Sequence, residues 1–503
     1  MSRAQRLASN TLTTMGARAL AFALMIVSMK VLAVCHGESR YGVFLLALSL
    51  LSNLQVFTLG VPSALVRFVA RSRGEGDEAA LAGFVRASFR FYVAVGLAVA
   101  LVLAALATVG LGLFRVDEAD RSAARAVLLL ASAWTLLSFP LQVYGQVLAG
   151  LQEFGRLNRA IALQAALANA GYLAVGLGGL PVWGAVVAMA ASQSVMFALN
   201  IADVRRLLPA LDWWRAAPRS GLVRELIGFS AAMFLLGVAG KVFYEIDTLV
   251  LSGFVSTAAV TYYAFVAYPL MAVREANGWL TQAMMPSISE AMAAGDSGFV
   301  EALVERGSRI ALLFTASLAA VACAVMRQFL AAWMGEEYAA LTPIGQALLA
   351  SYALSAAFAV AGQALVATGR ESLPLRVALV SASANLVLSV WLVRGHGVWG
   401  VALGTVLATV LAVPMACWWF LPALGVRRWH FVLRTMAPVY AVTGAMGAAC
   451  WWGAGAIFPD RPGLLGVAAY SSASVAATLA AGYALVLPRE DRDRLRDLVL
   501  RRG

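Results

Sequence analysis

The sequence predicts an all-α polytopic membrane protein of about 14 transmembrane helices, and two observations carry that reading. Charge-free stretches recur along the chain, at 91–114, 160–202, 248–273, 377–393 and 435–459 among others. Most exceed the roughly 20 residues that, at 1.5 Å rise per residue, cover a hydrocarbon layer of about 30 Å. The composition agrees: of 503 residues 61% are hydrophobic and 13% charged, with a mean hydropathy of +0.81. No polar-coated soluble fold has that balance. Lipid gives backbone N–H and C=O groups no partner, so each crossing is expected to be helical.

Apolar runs read against charged punctuation give the elements in order. The first span, 10–34, follows Arg3 and Arg6 in the charge order of a signal peptide, but its length and lack of a small-residue cleavage site favour a retained helix. Five more lie at 42–68, 87–113, 126–149, 158–178 and 182–203. A second series lies at 226–252, 258–288, 308–332, 342–368, 374–394 and 398–421, and a last pair at 432–457 and 464–487. Twelve spans is the fallback count.

The formal charge of +12 is a topology signal rather than a nucleic-acid footprint, because the arginines sit in short loops between apolar runs. Twenty-seven of the 38 lysines and arginines fall on one side, eight on the other, and Arg18, Lys241 and Arg274 fall inside spans. By the positive-inside rule both termini are cytoplasmic.

An internal repeat divides the chain. Shifting it by 216 residues superposes Leu163, Ala166, Ala168, Asn169, Gly179, Val182, Trp183 and Gly184 on Leu379, Ala382, Ala384, Asn385, Gly395, Val398, Trp399 and Gly400. The matched piece is the fifth span, its outer turn and the start of the sixth, recurring as the eleventh and twelfth. Two pseudo-symmetric six-helix lobes are therefore expected at 1–204 and 226–421, with an extra helix pair at 432–487. Between the lobes 205–225 carries Trp213, Trp214 and five arginines, a composition suited to lying at the cytoplasmic interface beside anionic lipid. The basic tail 488–503 alternates Arg with Asp and Glu; its Asp491-Arg492-Asp493 has a glycosyltransferase-like spelling but reads as a solvated helix face.

Ions inside a span cost roughly 2.5–3.5 kcal/mol each on insertion scales, so they face a wet cavity or one another. The seventh span holds Lys241, Glu245 and Asp247, the eighth Arg274 and Glu275, and the first Arg18. Lys241 and Glu245 are four apart and can pair on one face. Arg18 and Arg274 have no same-face carboxylate nearby in sequence. Basic groups in a cavity suit an anionic cargo, whereas a site for organic cations exposes carboxylates and aromatics. Both readings stay open at this level. Asn169 and Asn385 hold equivalent repeat positions, which fits a structural role in both lobes.

Several chemistries find no footing. There is no Walker loop, zinc-ligand spacing, GxSxG elbow or soluble domain for a nucleotide, so no catalytic residue, metal or cofactor is assigned and no ATP-driven step is expected. Cys35, Cys323, Cys417 and Cys450 lie far apart and read as small hydrophobes.

Particular residues also carry a resemblance. The run Gly37-Glu38-Ser39-Arg40-Tyr41-Gly42-Val43-Phe44, followed by Leu59-Gly60-Val61-Pro62-Ser63-Ala64-Leu65-Val66-Arg67, resembles the start of polysaccharide-biosynthesis (O-antigen, Wzx-type) flippases. Leu148-Ala149-Gly150-Leu151-Gln152, Asp247-Thr248-Leu249 and Val182-Trp183-Gly184-Ala185 with its partner at 398 extend the similarity over most of 9–420. These flippases belong to the multidrug, oligosaccharidyl-lipid and polysaccharide (MOP) exporter superfamily. The resemblance implies the MATE-like fold and outward flipping of a polyprenyl-diphosphate-linked oligosaccharide by alternating access. Its partners would be the lipid-linked oligosaccharide, membrane lipids, and a polymerase and glycosyltransferases of the same pathway, with no nucleic acid and a monomeric state.

Fourteen spans are also similar to the lipid II flippase branch, in which an arginine of span one contacts the diphosphate. That likeness implies the same for Arg18; Arg274 and Lys241, read from their places inside spans, are the further cavity candidates. It also implies a cation site from Asp247, Asn385 and Thr405, matched only in residue type; Glu245 of the seventh span is a further candidate for ion coupling. The rival reading is a MATE-like proton- or sodium-coupled multidrug antiporter.

Overall fold

The computed structural model describes residues 24–58, 60–209, 231–293, 297–458 and 463–492. Arg18, most of the expected 205–225 linker and the tail beyond Arg492 lie outside them. The described residues are almost entirely helical and group into two compact units. One runs to Lys241 and takes in Glu245–Thr261; the other takes in Val242–Tyr244 and the chain from Tyr262 onward.

The first unit opens with α1 (Leu24–His36), α2 (Glu38–Leu54) and α3 (Val61–Glu75). The stretch expected as a single span over 42–68 is thus two helices. Gly60 adopts φ 75°, a left-handed conformation that stops the first segment, and Pro62 sits in the opening turn of the next. Next come α4 (Glu78–Thr108), α5 (Arg121–Gly150), α6 (Phe154–Leu177) and α7 (Trp183–Leu207). The Asp77 carboxylate accepts from Ala80 N–H at 2.8 Å and caps α4.

Polar side chains and small residues stitch this unit. Ser132 of α5 donates to Ala100 O of α4 at 2.7 Å, and Trp134 Nε1 donates to Gln193 Oε1 of α7 at 2.7 Å. A Cβ at Gly171 would come within 2.7 Å of Ala188 Cβ, and Gly42 packs so closely on the Thr257 backbone that no side chain fits. Such close approach is how helices associate where lipid removes the hydrophobic drive between them.

Helix α8 (Ala231–Phe254) is shared between the units. The second unit continues with α9 (Thr257–Ala293, its first turn counted with the first unit), α10 (Ser297–Trp333), α11 (Thr342–Ala356) and α12 (Ala359–Ala367). Helices α11 and α12 meet at a 44° bend. Then α13 (Ser372–Ala423) is broken at Gly397, where φ 54° and ψ −129° leave the helical region and divide it into 372–396 and 398–423. An aromatic knot of Phe265, Tyr268, Trp333 and Tyr338 fills one end of its core, with Phe265 edge-on to Trp333 at 4.8 Å. Val304, Leu312, Phe358, Phe420 and Phe431 form a larger apolar cluster.

The last pair, α14 (Ala437–Ile457) and α15 (Leu464–Leu485), lies along α10. Gly447 would place a Cβ 3.1 Å from Ala320 Cβ, and Tyr470 OH donates to Cys450 O at 2.8 Å. Asp491, expected on a solvated face, is 6% exposed and lies 3.5 Å from Arg306 and 3.6 Å from Arg309.

Among the described residues eight helices are long and apolar enough to cross a membrane, or nine with the bent α11–α12 pair. That supports the multi-pass helical class; the figure of fourteen is not established by length and composition alone.

Candidate functional site

Lys241 anchors α8 to α2. Its Nζ donates to Ser52 O and Ser52 Oγ in the last turn of α2, both at 2.8 Å. Glu245 Oε1 is 3.7 Å away, one turn on, so the expected pairing forms but is the longer contact. Glu245 Oε2 is buried with no hydrogen-bond partner among the described residues. Asp247 is 5% exposed, and six residues from Lys241 it sits about 240° around the helix, away from the Lys241–Glu245 face.

In the second unit the Arg274 guanidinium carbon sits 4.2 Å above the Tyr244 ring. Among the described residues no carboxylate lies within ion-pair distance of Arg274. Stacking uses the face of the guanidinium and leaves its in-plane N–H donors available. Glu275, its neighbour in sequence, is on the exposed side of α9. One turn from Arg274, Asn277 is buried: Nδ2 donates to Tyr352 OH at 3.0 Å and Oδ1 accepts from Thr315 Oγ1 at 3.0 Å. This three-helix junction of α9, α10 and α11 went unseen in the sequence, because only tertiary packing brings 277, 315 and 352 together.

Asn385 is fully buried. Its Nδ2 donates to Phe243 O at 2.7 Å, while Oδ1 accepts from Ser389 Oγ at 2.9 Å and Thr405 Oγ1 at 3.3 Å. Both hydroxyls also lie 3.4 Å from Val401 O, an alternative acceptor. Swinging either proton to Val401 would uncover an Asn385 lone pair for a cation. Of the four expected cation-site residues, Asn385 and Thr405 therefore meet; Glu245 and Asp247 belong to the other unit. Arg18 lies outside the described residues. Among the described residues no group of three or more His, Cys, Asp or Glu is placed to hold a metal.

The repeat partner of Asn385 works alike in the first unit. Asn169 Oδ1 accepts from Ser28 Oγ of α1 at 2.6 Å, and its Nδ2 donates to Ala165 O at 2.8 Å. At the far end of the same helix pair Asp203, 3% exposed at its side chain, receives Arg156 at 2.9 Å and Arg159 at 3.1 Å. Sequence position alone puts these arginines in a loop and does not show their shared acceptor.

A family model described as polysaccharide biosynthesis protein matches residues 7–292. Among solved structures, the lipid II flippase MurJ in an inward closed conformation has a TM-score of 0.73 at 13% identity, covering 94% of this chain and 99% of that one. A multidrug resistance MATE family transporter of the MOP superfamily, inward-facing, has a TM-score of 0.69 at 14% identity over 80% of this chain and 94% of that one. A point mutant of the Vibrio cholerae MATE transporter VcmN has a TM-score of 0.60 at 17% identity over 82% of this chain and 94% of that one. No curated protein sequence matches the chain.

Proposed function

Because the chain belongs to the polysaccharide biosynthesis protein family, we propose that it carries a polyprenyl-diphosphate-linked oligosaccharide from the inner to the outer leaflet. The observation that supports this reading is Arg274, a guanidinium held against Tyr244 and left without a carboxylate among the described residues. An arginine inside a span that is not neutralised by protein is matched to an anionic cargo, and a diphosphate accepts its paired N–H donors. The coverage of MurJ, which extends over 94% of this chain against 80% and 82% for the two MATE transporters, is in keeping with a lipid-linked cargo.

The physical difficulty is the head group. Moving an isolated ion into low dielectric costs on the order of 20 kcal/mol in the Born limit, so diphosphate and sugars need a hydrated, basic cavity while the polyprenyl tail stays in lipid. Arg274, Lys241 and Arg18 are the residues proposed to line it. Two six-helix lobes, 1–204 and 226–421, rock to open the cavity to each leaflet in turn. Inside-negative potential favours outward anion movement by roughly 2.3 kcal/mol per charge per 100 mV. A cation at Asp247, Glu245, Asn385 and Thr405 resets the cycle. The protein works as a monomer in a bacterial inner membrane with both termini cytoplasmic, supplied by glycosyltransferases and followed by a polymerase.

One observation favours a second reading. The buried Oε2 of Glu245, without a hydrogen-bond partner among the described residues, is the kind of group that binds a proton or an organic cation in an antiporter. Proteoliposomes separate the two: the flippase reading expects movement of the lipid-linked pool that Arg274→Ala abolishes, with no dye efflux. Dye efflux driven by a proton or sodium gradient, without movement of the lipid-linked pool, would overturn it.

A further inference from the structure

Within the first unit, at the end holding Arg40, Arg115, Arg121 and Arg125, a cavity of about 590 Å³ opens among α1, α2, α5 and the α6–α7 turn. It contains none of the residues assigned to translocation above. Cys35, His36, Arg40, Ser122 and Trp183 line it, with small and aliphatic residues between them.

Its walls are built rather than incidental. The His36 ring reaches from α1 to the turn, with Nδ1 3.0 Å from Leu32 O and Nε2 2.8 Å from Leu180 O. That turn is sharp because Gly179 adopts φ 63°. On the facing side Arg40 Nε donates to Asp120 Oδ1 at 2.8 Å, and Asp120 is only 9% exposed at its side chain. The pairing engages the arginine through Nε, and half of its side chain remains exposed. Trp183, 40% exposed at the first turn of α7, adds an indole surface.

A pocket of this size, part aromatic face and part planar hydrogen-bonding groups, suits a ligand that has both characters. A pyranose ring has them: one face of C–H groups for the indole and a rim of hydroxyls for Arg40 and Ser122. We infer that this cavity is a saccharide-binding site that holds sugar units of the cargo at the outer end of the first unit. The inference rests on the flippase reading for its source of sugar and on the charge balance for its side.

Cys35 is a free, exposed thiol in the wall and reports occupancy. The full-length protein in nanodiscs, where both faces are accessible, is alkylated with a maleimide and Cys35 is followed by peptide mass spectrometry. The probe is the oligosaccharide pool released by mild acid from the lipid-linked fraction of the source cells. That pool is expected to slow Cys35 alkylation about fivefold at a few times its dissociation constant. Trp183→Ala should keep the unprotected rate, showing the wall intact, and lose the protection; Trp183→Phe should retain it.

An unchanged Cys35 rate in wild type with saccharide present overturns the site, as does equal protection in Trp183→Ala. Flipping of the same lipid-linked pool, measured separately in proteoliposomes, tells the two failures apart. Flipping without protection refutes the pocket alone; protection without flipping supports the pocket and refutes the translocation reading.

Discussion

Asn385 Nδ2 donates a 2.7 Å hydrogen bond to the carbonyl of Phe243, tying the helix after the bend of the second unit to α8. In the first unit Asn169 receives Ser28 of α1 at 2.6 Å. The two asparagines are 216 positions apart, as are the segments around them, so the repeat conserves a lock between the fifth and first helices of each half. The shared geometry is a structural tie in each half, and the cation role proposed for Asn385 comes in addition to it.

Asn385→Ala should lower the thermal stability of the detergent-purified protein by about 1–2 kcal/mol, since it removes the bond to Phe243 O and leaves the Ser389 and Thr405 hydroxyls only their longer contacts to Val401 O. Asn169→Ala should cost less, about 0.6–1.5 kcal/mol, because it frees only the Ser28 hydroxyl and an intrahelical carbonyl. Fluorescence-detected melting checks both. Equal, negligible losses would refute the lock.

Arg274→Ala should cut flipping of the lipid-linked pool at least about tenfold while leaving insertion and melting unchanged, since one lost charge-assisted contact is worth about 1.5–3 kcal/mol. Arg274→Lys should restore part of the rate, because an ammonium keeps the charge but not the paired donors. Proteoliposome transport measures it; a wild-type rate in the alanine variant would remove Arg274 from the cargo path.

Lys241→Met removes both donors to Ser52 and the neighbour of Glu245. The expected outcome is a melting loss of about 1–3 kcal/mol, relieved when Glu245→Gln is added, because the second change deletes the carboxylate that the first one strands. A double-mutant cycle by melting decides; strict additivity would show that the 3.7 Å pair carries no coupling.

Asp203→Asn should loosen the junction of α6 and α7, where two arginines converge on one buried carboxylate. A loss of about 1–3 kcal/mol is expected, discounted toward the lower figure because Arg156 and Arg159 are partly exposed and screened. The loss should shrink in high salt less than that of an exposed pair; melting at low and high ionic strength checks it.

The helical class, the multi-pass character and the family were legible in residues alone, and for one reason. Lipid as solvent forces each crossing to be a long apolar helix, so hydropathy writes the architecture directly into composition and punctuation. The break before Val61 was written there too, in Gly60 and Pro62, but an unbroken apolar run masked it. The polar contacts were not legible. Arg274 meets Tyr244 from thirty positions away, Asn277 meets Thr315 and Tyr352, and Asp203 gathers Arg156 and Arg159. Which polar groups are silenced by a partner and which keep their charge for a ligand depends on how helices distant in sequence rotate against one another, and packing alone decided that.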